Sequence, residues 1–282
     1  MNLLADPLVQ RMLLVGVLVG AAAPIVGTYL VQRRMALLGD GIGHVALAGV
    51  AAGWLAGSAA GLAQRDALAI PGAVLFAVVG AVIIERMRAR GAAADVVMAI
   101  LFYGGIATGV LLIGAAGGSN ANLLGYLFGS ISSVGWVDVW ITAALALVIM
   151  GVGLGLRGAL FAVTHDQEFA RSTGLPVEVL NMIVAVLAAV TITVAMRVVG
   201  VLLVSALMIL PVAIAQRLTA SFSRTMYVAM GIGAALTLTG IWITLTQNLQ
   251  PGALIVVLGV GGYVLVTVAV AARESVRRGG TS

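Results

Sequence analysis

A chain of 282 residues that is 62% hydrophobic and only 9% charged cannot present a wettable surface as a globule, which excludes a soluble fold and implies a polytopic membrane protein. It has no cysteine, which removes disulfides and thiolate metal sites, and no lysine, which removes the phosphate-binding loop that a P-loop ATPase needs. The formal charge of +5 comes from arginines scattered among hydrophobic runs, a pattern of topology signals and not of a nucleic-acid-binding surface.

Apolar runs close to the ~20 residues that carry a helix across ~30 Å predict an all-α polytopic fold of about nine transmembrane helices, or eight, in a single domain over 1–282. The expected spans are 12–31, 35–56, 70–84, 94–115, 134–156, 177–196, 198–218, 226–246 and 253–272. No signal peptide is evident, because the first run is long enough to span and leads into a second. Sorted by loop parity, twelve arginines fall on one side, against Arg11, Arg65 and Arg197 on the other. That asymmetry predicts an external N-terminus and a cytoplasmic C-terminus.

Pro24 and Gly27 in the first span predict a packing kink. The second span carries Gly39-Asp40-Gly41-Ile42-Gly43-His44, with Asp40 ~9 Å and His44 ~15 Å along the helix from Arg34, which puts His44 near the midplane. The i, i+4 spacing sets Asp40 and His44 on one face. A carboxylate at that depth costs at least ~2.5 kcal/mol, so it must face the protein interior or water. The pair is either self-satisfied or a pair of ligands; the glycines strip bulk from the helix, so that a second backbone or an ion can come close.

Glu85 reads as an interface residue paired with a neighbouring arginine, and Asp95 as a carboxylate complementing the start of the fourth span. Residues 114–122 read as a small outer loop and 123–130 as a re-entrant or interfacial piece, too short to span. Asp138 between Trp136 and Trp140 fits an exposed carboxylate in an aromatic belt. Arg197 joins the sixth and seventh spans without a polar linker, at the outer interface or snorkelling from just inside, and Pro211 breaks the seventh span before Gln216.

The longest polar interruption, 164–176, predicts a short cytoplasmic helix with Thr164 as N-cap, Gln167 as its capping-box partner, acidic Asp166 and Glu168 in the first turn, and Gly174 and Pro176 ending it. Too small to build a core, it reads as an element gripped by another protein, with Asp166, Glu168, Phe169 and Arg171 available for contact.

This element, the run from Arg197 to Pro211, the Gly39–Gly49 segment and the Tyr126-Leu127-Phe128-Gly129-Ser130 stretch resemble the membrane permease of ABC-type zinc, manganese and iron importers. The resemblance implies that 164–174 is a coupling helix seated in a separate cytoplasmic ATPase, and that the Asp-x-x-x-His pattern of Asp40 and His44 lines the pathway of a transported divalent metal ion. The glycine-rich spelling is closer to the zinc branch, so zinc is expected ahead of manganese or iron. It further implies a homodimeric permease in the lipid of the cell membrane, an extracytoplasmic metal-binding protein, no permanently bound cofactor, no enzymatic activity in this chain and no nucleic-acid partner. Because zinc usually takes four ligands, the two residues are expected to meet the same pair from a second copy. The competing reading is an ATP-independent proton-coupled metal carrier, or an intramembrane enzyme using Asp40 and His44 as an acid/base pair.

Overall fold

The computed structural model describes residues 6–61, 68–115, 127, 129, 134–247 and 249–279, and for 94, 197, 198, 202, 274 and 276–279 the backbone alone. Among the described residues there are eleven helices and no strand: α1 (Pro7–Gln32), α2 (Leu38–Ala59), α3 (Ala69–Ala89), α4 (Ala94–Ala115), α5 (Trp136–Gly155), α6 (Arg157–His165), α7 (Gln167–Ser172), α8 (Val177–Val199), α9 (Val201–Leu218), α10 (Phe222–Gln247) and α11 (Pro251–Gly279). Eight of these are long and apolar enough to cross a membrane, and α9 supplies a shorter apolar helix over Leu203–Leu218. The chain is therefore an all-α, multi-pass membrane protein.

Local chemistry explains where the ends differ from expectation. Helix α1 begins at Pro7, because Asp6 caps it by accepting from the Leu8 N–H at 2.9 Å and the proline fills a position whose N–H would be unpaired anyway. Helix α2 begins only at Leu38, since Arg34 takes the left-handed conformation, with φ of 57°, in the turn after α1. The break expected at Pro211 does not occur, and α9 runs through it to Leu218. Losing one backbone hydrogen bond inside a bilayer costs less than ending a helix there and exposing several. Pro24 is likewise contained within α1, where the Thr28 hydroxyl donates to its carbonyl at 2.7 Å. Helices α8 and α9 meet at Gly200, whose φ of 84° only glycine adopts without strain. The side chain of Arg197, most of the 114–122 loop and most of the 123–130 piece lie outside the described residues.

Helix α1 packs against α5, α8, α9 and α10, and α2 against α3, α4 and α8, so these two helices form the interior. Close approach depends on glycine: a Cβ on Gly20 would overlap the Gly233 backbone of α10, and one on Gly49 would overlap the Gly72 backbone of α3. Outer helices turn Leu75, Leu111, Trp140 and Leu265 outward, as a lipid-facing surface requires.

Two side-chain contacts define the ends of the bundle. At one end the Arg11 guanidinium lies 5.2 Å over the Trp136 ring. At the other, Tyr29, fully buried, donates to the Gly153 carbonyl at 2.5 Å and ties α1 to α5. Tyr29→Phe removes that bond while keeping the ring, and is expected to lower stability by about 1 kcal/mol. A thermal melt in detergent checks it, and an unchanged midpoint would remove the bond from the account of how α1 and α5 are held.

Candidate metal pathway and docking helix

Asp40 lies in the first turn of α2 and His44 one turn further on, with His44 Nε2 3.8 Å from Asp40 Oδ1. At that distance the two are within ion-pair reach but make no hydrogen bond. Two ligands each ~2.1 Å from one ion stand at most ~4.2 Å apart, and the observed separation lies within that reach. His44 is 8% exposed, whereas the Asp40 side chain is 27% exposed and gives the pair an opening. Because residues 33–37 form a turn and not helix, His44 stands only six residues, ~9 Å, along α2. It is nearer the α1–α2 turn than the expected ~15 Å.

The glycines of α2 serve packing within the chain. Space at Gly39 is bounded by Met208 and Ile192, and space at Gly43 by Val201 and Ile192, all on α8 and α9. Gly39 and Gly43 thus face the protein's own helices, whereas at Gly41 the nearest atom is the Met98 carbonyl oxygen at 4.0 Å. On the other flank Phe102 of α4 meets the His44 ring edge-on at 4.5 Å between centroids, and a Cβ on Gly105 would overlap the His44 backbone. Neither was expected to matter; the adjacent glycines 104 and 105 inside an apolar run were the available signal of a close approach. Among the described residues no group of three or more His, Cys, Asp or Glu side chains is placed to hold an ion.

The polar interruption becomes two helices instead of one. Thr164 belongs to α6, where its hydroxyl donates to the Leu160 carbonyl at 2.6 Å, and the predicted Thr164–Gln167 capping box does not form. Asp166 is the N-cap of α7, accepting from the Glu168 and Phe169 N–H groups at 3.0 and 2.9 Å. Gly174, with φ of 82°, ends the turn, as expected. Ala170 is buried beneath α7, whereas Asp166, Glu168, Phe169 and Arg171 are exposed. All four residues expected to meet a partner thus lie on the accessible surface, and Phe169 is 60% exposed.

A half-buried arginine connects the two regions. The Arg33 Nε, in the turn before α2, donates to the Thr164 hydroxyl at 3.3 Å, and its second terminal nitrogen is buried with no hydrogen-bond partner. Burial pulls its pKa down to about 10, against the attraction of Glu85. Glu85 is paired with Arg88 at 2.9 Å, as expected, though it is 7% exposed and not at the surface. Asp138 also does more than sit at an interface: its Oδ2 accepts from the Gly135 N–H at 2.9 Å at the start of α5. His165 stacks on Phe161 at the end of α6.

The family model for the ABC 3 transport family matches residues 5–270. The chain belongs to the ABC 3 transport family. Relatives within reach of this family member include the manganese transport system membrane protein MntC of Halalkalibacterium halodurans, 28% identical over 90% of this chain and 85% of the relative. The manganese import system permease protein ScaB of Streptococcus parasanguinis is 29% identical over 88% of this chain and 85% of its own. Among solved structures, PsaBC from Streptococcus pneumoniae in complex with Fab superposes with a TM-score of 0.80 at 27% identity, covering 94% of this chain and 92% of that one.

Proposed function

We propose that this ABC 3 family member is the permease subunit of an ATP-driven importer of a divalent metal ion, a single permease domain whose ions pass the Asp40–His44 pair. The observation that carries this is a carboxylate and an imidazole 3.8 Å apart, without a hydrogen bond between them, with the imidazole buried and the carboxylate accessible. The pair supplies two ligands, and water or the same pair from a second copy completes the ion's coordination. A pathway site of two side chains binds weakly, which suits release. A homodimer, a separate ATPase on α7 and an external metal-binding protein complete the assembly, and the Arg33–Thr164 contact is the link by which displacement of α6 and α7 reaches the turn before α2.

Manganese stands first as the cargo, because the named relatives carry it; zinc, favoured by the spelling of the α2 glycines, stands second. One carboxylate and one imidazole without thiolate suit either ion. Cell-associated manganese, zinc and iron are measured with and without the protein while each is depleted in turn. Manganese accumulation that depends on the protein is expected; zinc accumulation alone would reverse the order, and no dependence for any of the three would remove the importer reading. Uptake that persisted without the ATPase would favour the carrier.

The arginine asymmetry supports an external N-terminus and a cytoplasmic C-terminus. In this cysteine-free chain, Asp6→Cys is expected to react with a membrane-impermeant maleimide in intact cells, and Ser275→Cys only after permeabilisation. The reverse pattern would invert the topology and put α7 outside, away from any ATPase.

A further inference from the structure

The ends of α3 and α5, the first half of α8 and helix α7 line an open cavity of about 920 Å³, at the large end of the range for ligand pockets. Its two ends differ in chemistry. Arg86 and Arg171, both exposed, stand at the mouth, while Met182, Val186 and Leu187 of α8 form an apolar wall. From Glu178 to Leu187 the wall advances nine residues, ~13 Å, along a membrane-spanning helix. The cavity therefore runs from the level of polar headgroups into that of hydrocarbon.

Charge on the lining favours an anion. Glu85 is held by Arg88 at 2.9 Å, which leaves Arg86 and Arg171 facing the lone carboxylate of Glu178. Asn181 lies on the same wall, 9% exposed, and its Oδ1 has no hydrogen-bond partner. A soluble phosphate answers the arginines but not the apolar wall, and a cytoplasmic protein cannot reach along that wall into the bilayer. Basic pockets between transmembrane helices at the membrane surface are a recognised way to hold anionic headgroups.

We propose that this cavity binds one anionic phospholipid, with its phosphate on Arg86 and Arg171 and one acyl chain along Met182, Val186 and Leu187. The site does not involve Asp40 or His44 and stands independently of the cargo; it assigns Arg171 to the lipid and leaves Asp166, Glu168 and Phe169 to the partner of α7.

The test uses the full-length chain, purified with equimolar phosphatidylglycerol and phosphatidylcholine, with bound lipids counted by native mass spectrometry. The protein is expected to retain one phosphatidylglycerol per protomer in preference to phosphatidylcholine. Arg86→Gln, at an exposed position, is expected to lower phosphatidylglycerol retention about fivefold without changing the melting temperature measured in lipid-free detergent. Val186→Trp fills the tail slot and is expected to lower it independently. Excess glycerol phosphate should leave the bound lipid in place. Equal retention of the two lipids, or full retention by Arg86→Gln, would overturn the proposal. So would displacement by glycerol phosphate, which would mark a site for free phosphate. Dissociation of a permease dimer by Arg86→Gln with an unchanged lipid count would assign this face to a second copy and overturn it equally.

Discussion

Metal uptake is expected to fall by about a hundredfold or more in Asp40→Asn and in His44→Gln, with the protein still inserted and still assembled with its ATPase. The scale follows from ligand chemistry, since loss of even an outer-shell partner of a metal ligand costs ~10–100-fold, and these are the ligands themselves. Glutamine is preferred to alanine at position 44 because it keeps most of the ring's volume against Phe102, which touches the imidazole edge-on. A structural role predicts the opposite balance of effects. Were the pair there only to hold α2, removing it would cost stability. An ionised carboxylate in a membrane helix is itself unfavourable by at least ~2.5 kcal/mol, so Asp40→Asn is expected to be no less stable than the parent while losing transport. Uptake of manganese and zinc, followed alongside a thermal melt, separates the two. Near-normal uptake in the double variant Asp40→Asn/His44→Gln would sink the pathway assignment.

The i, i+4 spacing that brings Asp40 and His44 to one face was legible in the chain because helical periodicity alone decides it. What surrounds them was not. Three glycines announce that something comes close, yet the same signal is given by an ion, by a second copy or by a neighbouring helix; at Gly39 and Gly43 it is a neighbouring helix, with Ile192, Val201 and Met208 in the space, whereas Gly41 has nothing nearer than the Met98 carbonyl oxygen at 4.0 Å. Span identity was legible wherever an apolar run is bounded by charge or glycine, as in α4, whose limits coincide with the expected 94–115. It was least legible where proline and membrane compete. Pro211 reads as a break in water, but within a bilayer the intact remainder of α9 outweighs one lost hydrogen bond.

The same competition explains the docking segment. Thr164 and Asp166 are both N-cap residue types, and sequence spacing favoured Thr164 because Gln167 follows three positions later. Helix α6 was overlooked; its Leu160 and Val163, spaced i, i+3 and fully buried, carry the helix past Thr164, whose hydroxyl then turns back to its own helix. The cap passes to Asp166, the next residue with a suitable side chain. The Arg33 contact with Thr164 had no sequence signature, since 131 residues separate the partners and an arginine at a helix end reads first as a topology signal.

Capping by Asp166 also decides which carboxylate of α7 is available to a partner. Asp166 is committed to two backbone N–H groups, and its replacement would unfold the turn along with any interface. Glu168 makes no such bond through its side chain and is exposed next to Phe169. Reversing its charge, Glu168→Arg, sets a cation at a helix start at a cost of ~0.3–1 kcal/mol, too little to melt an element anchored by buried Ala170. At a docked interface the same change confronts a partner arranged for negative charge, where wrong-sign juxtaposition costs several kcal/mol. Phe169→Ala removes the one large apolar side chain of α7, exposed by 60%, and a buried aromatic anchor is worth ~2 kcal/mol or more at an interface. Each variant is expected to reduce co-purification of the ATPase by at least about tenfold and to lose ATP-driven uptake in proportion, while the permease melts at its usual temperature. Glu168→Gln, which removes charge without reversing it, should fall between the parent and Glu168→Arg. If both Glu168→Arg and Phe169→Ala retained the ATPase and transported normally, α7 would not be the docking element, and the partner would have to bind elsewhere on the same face.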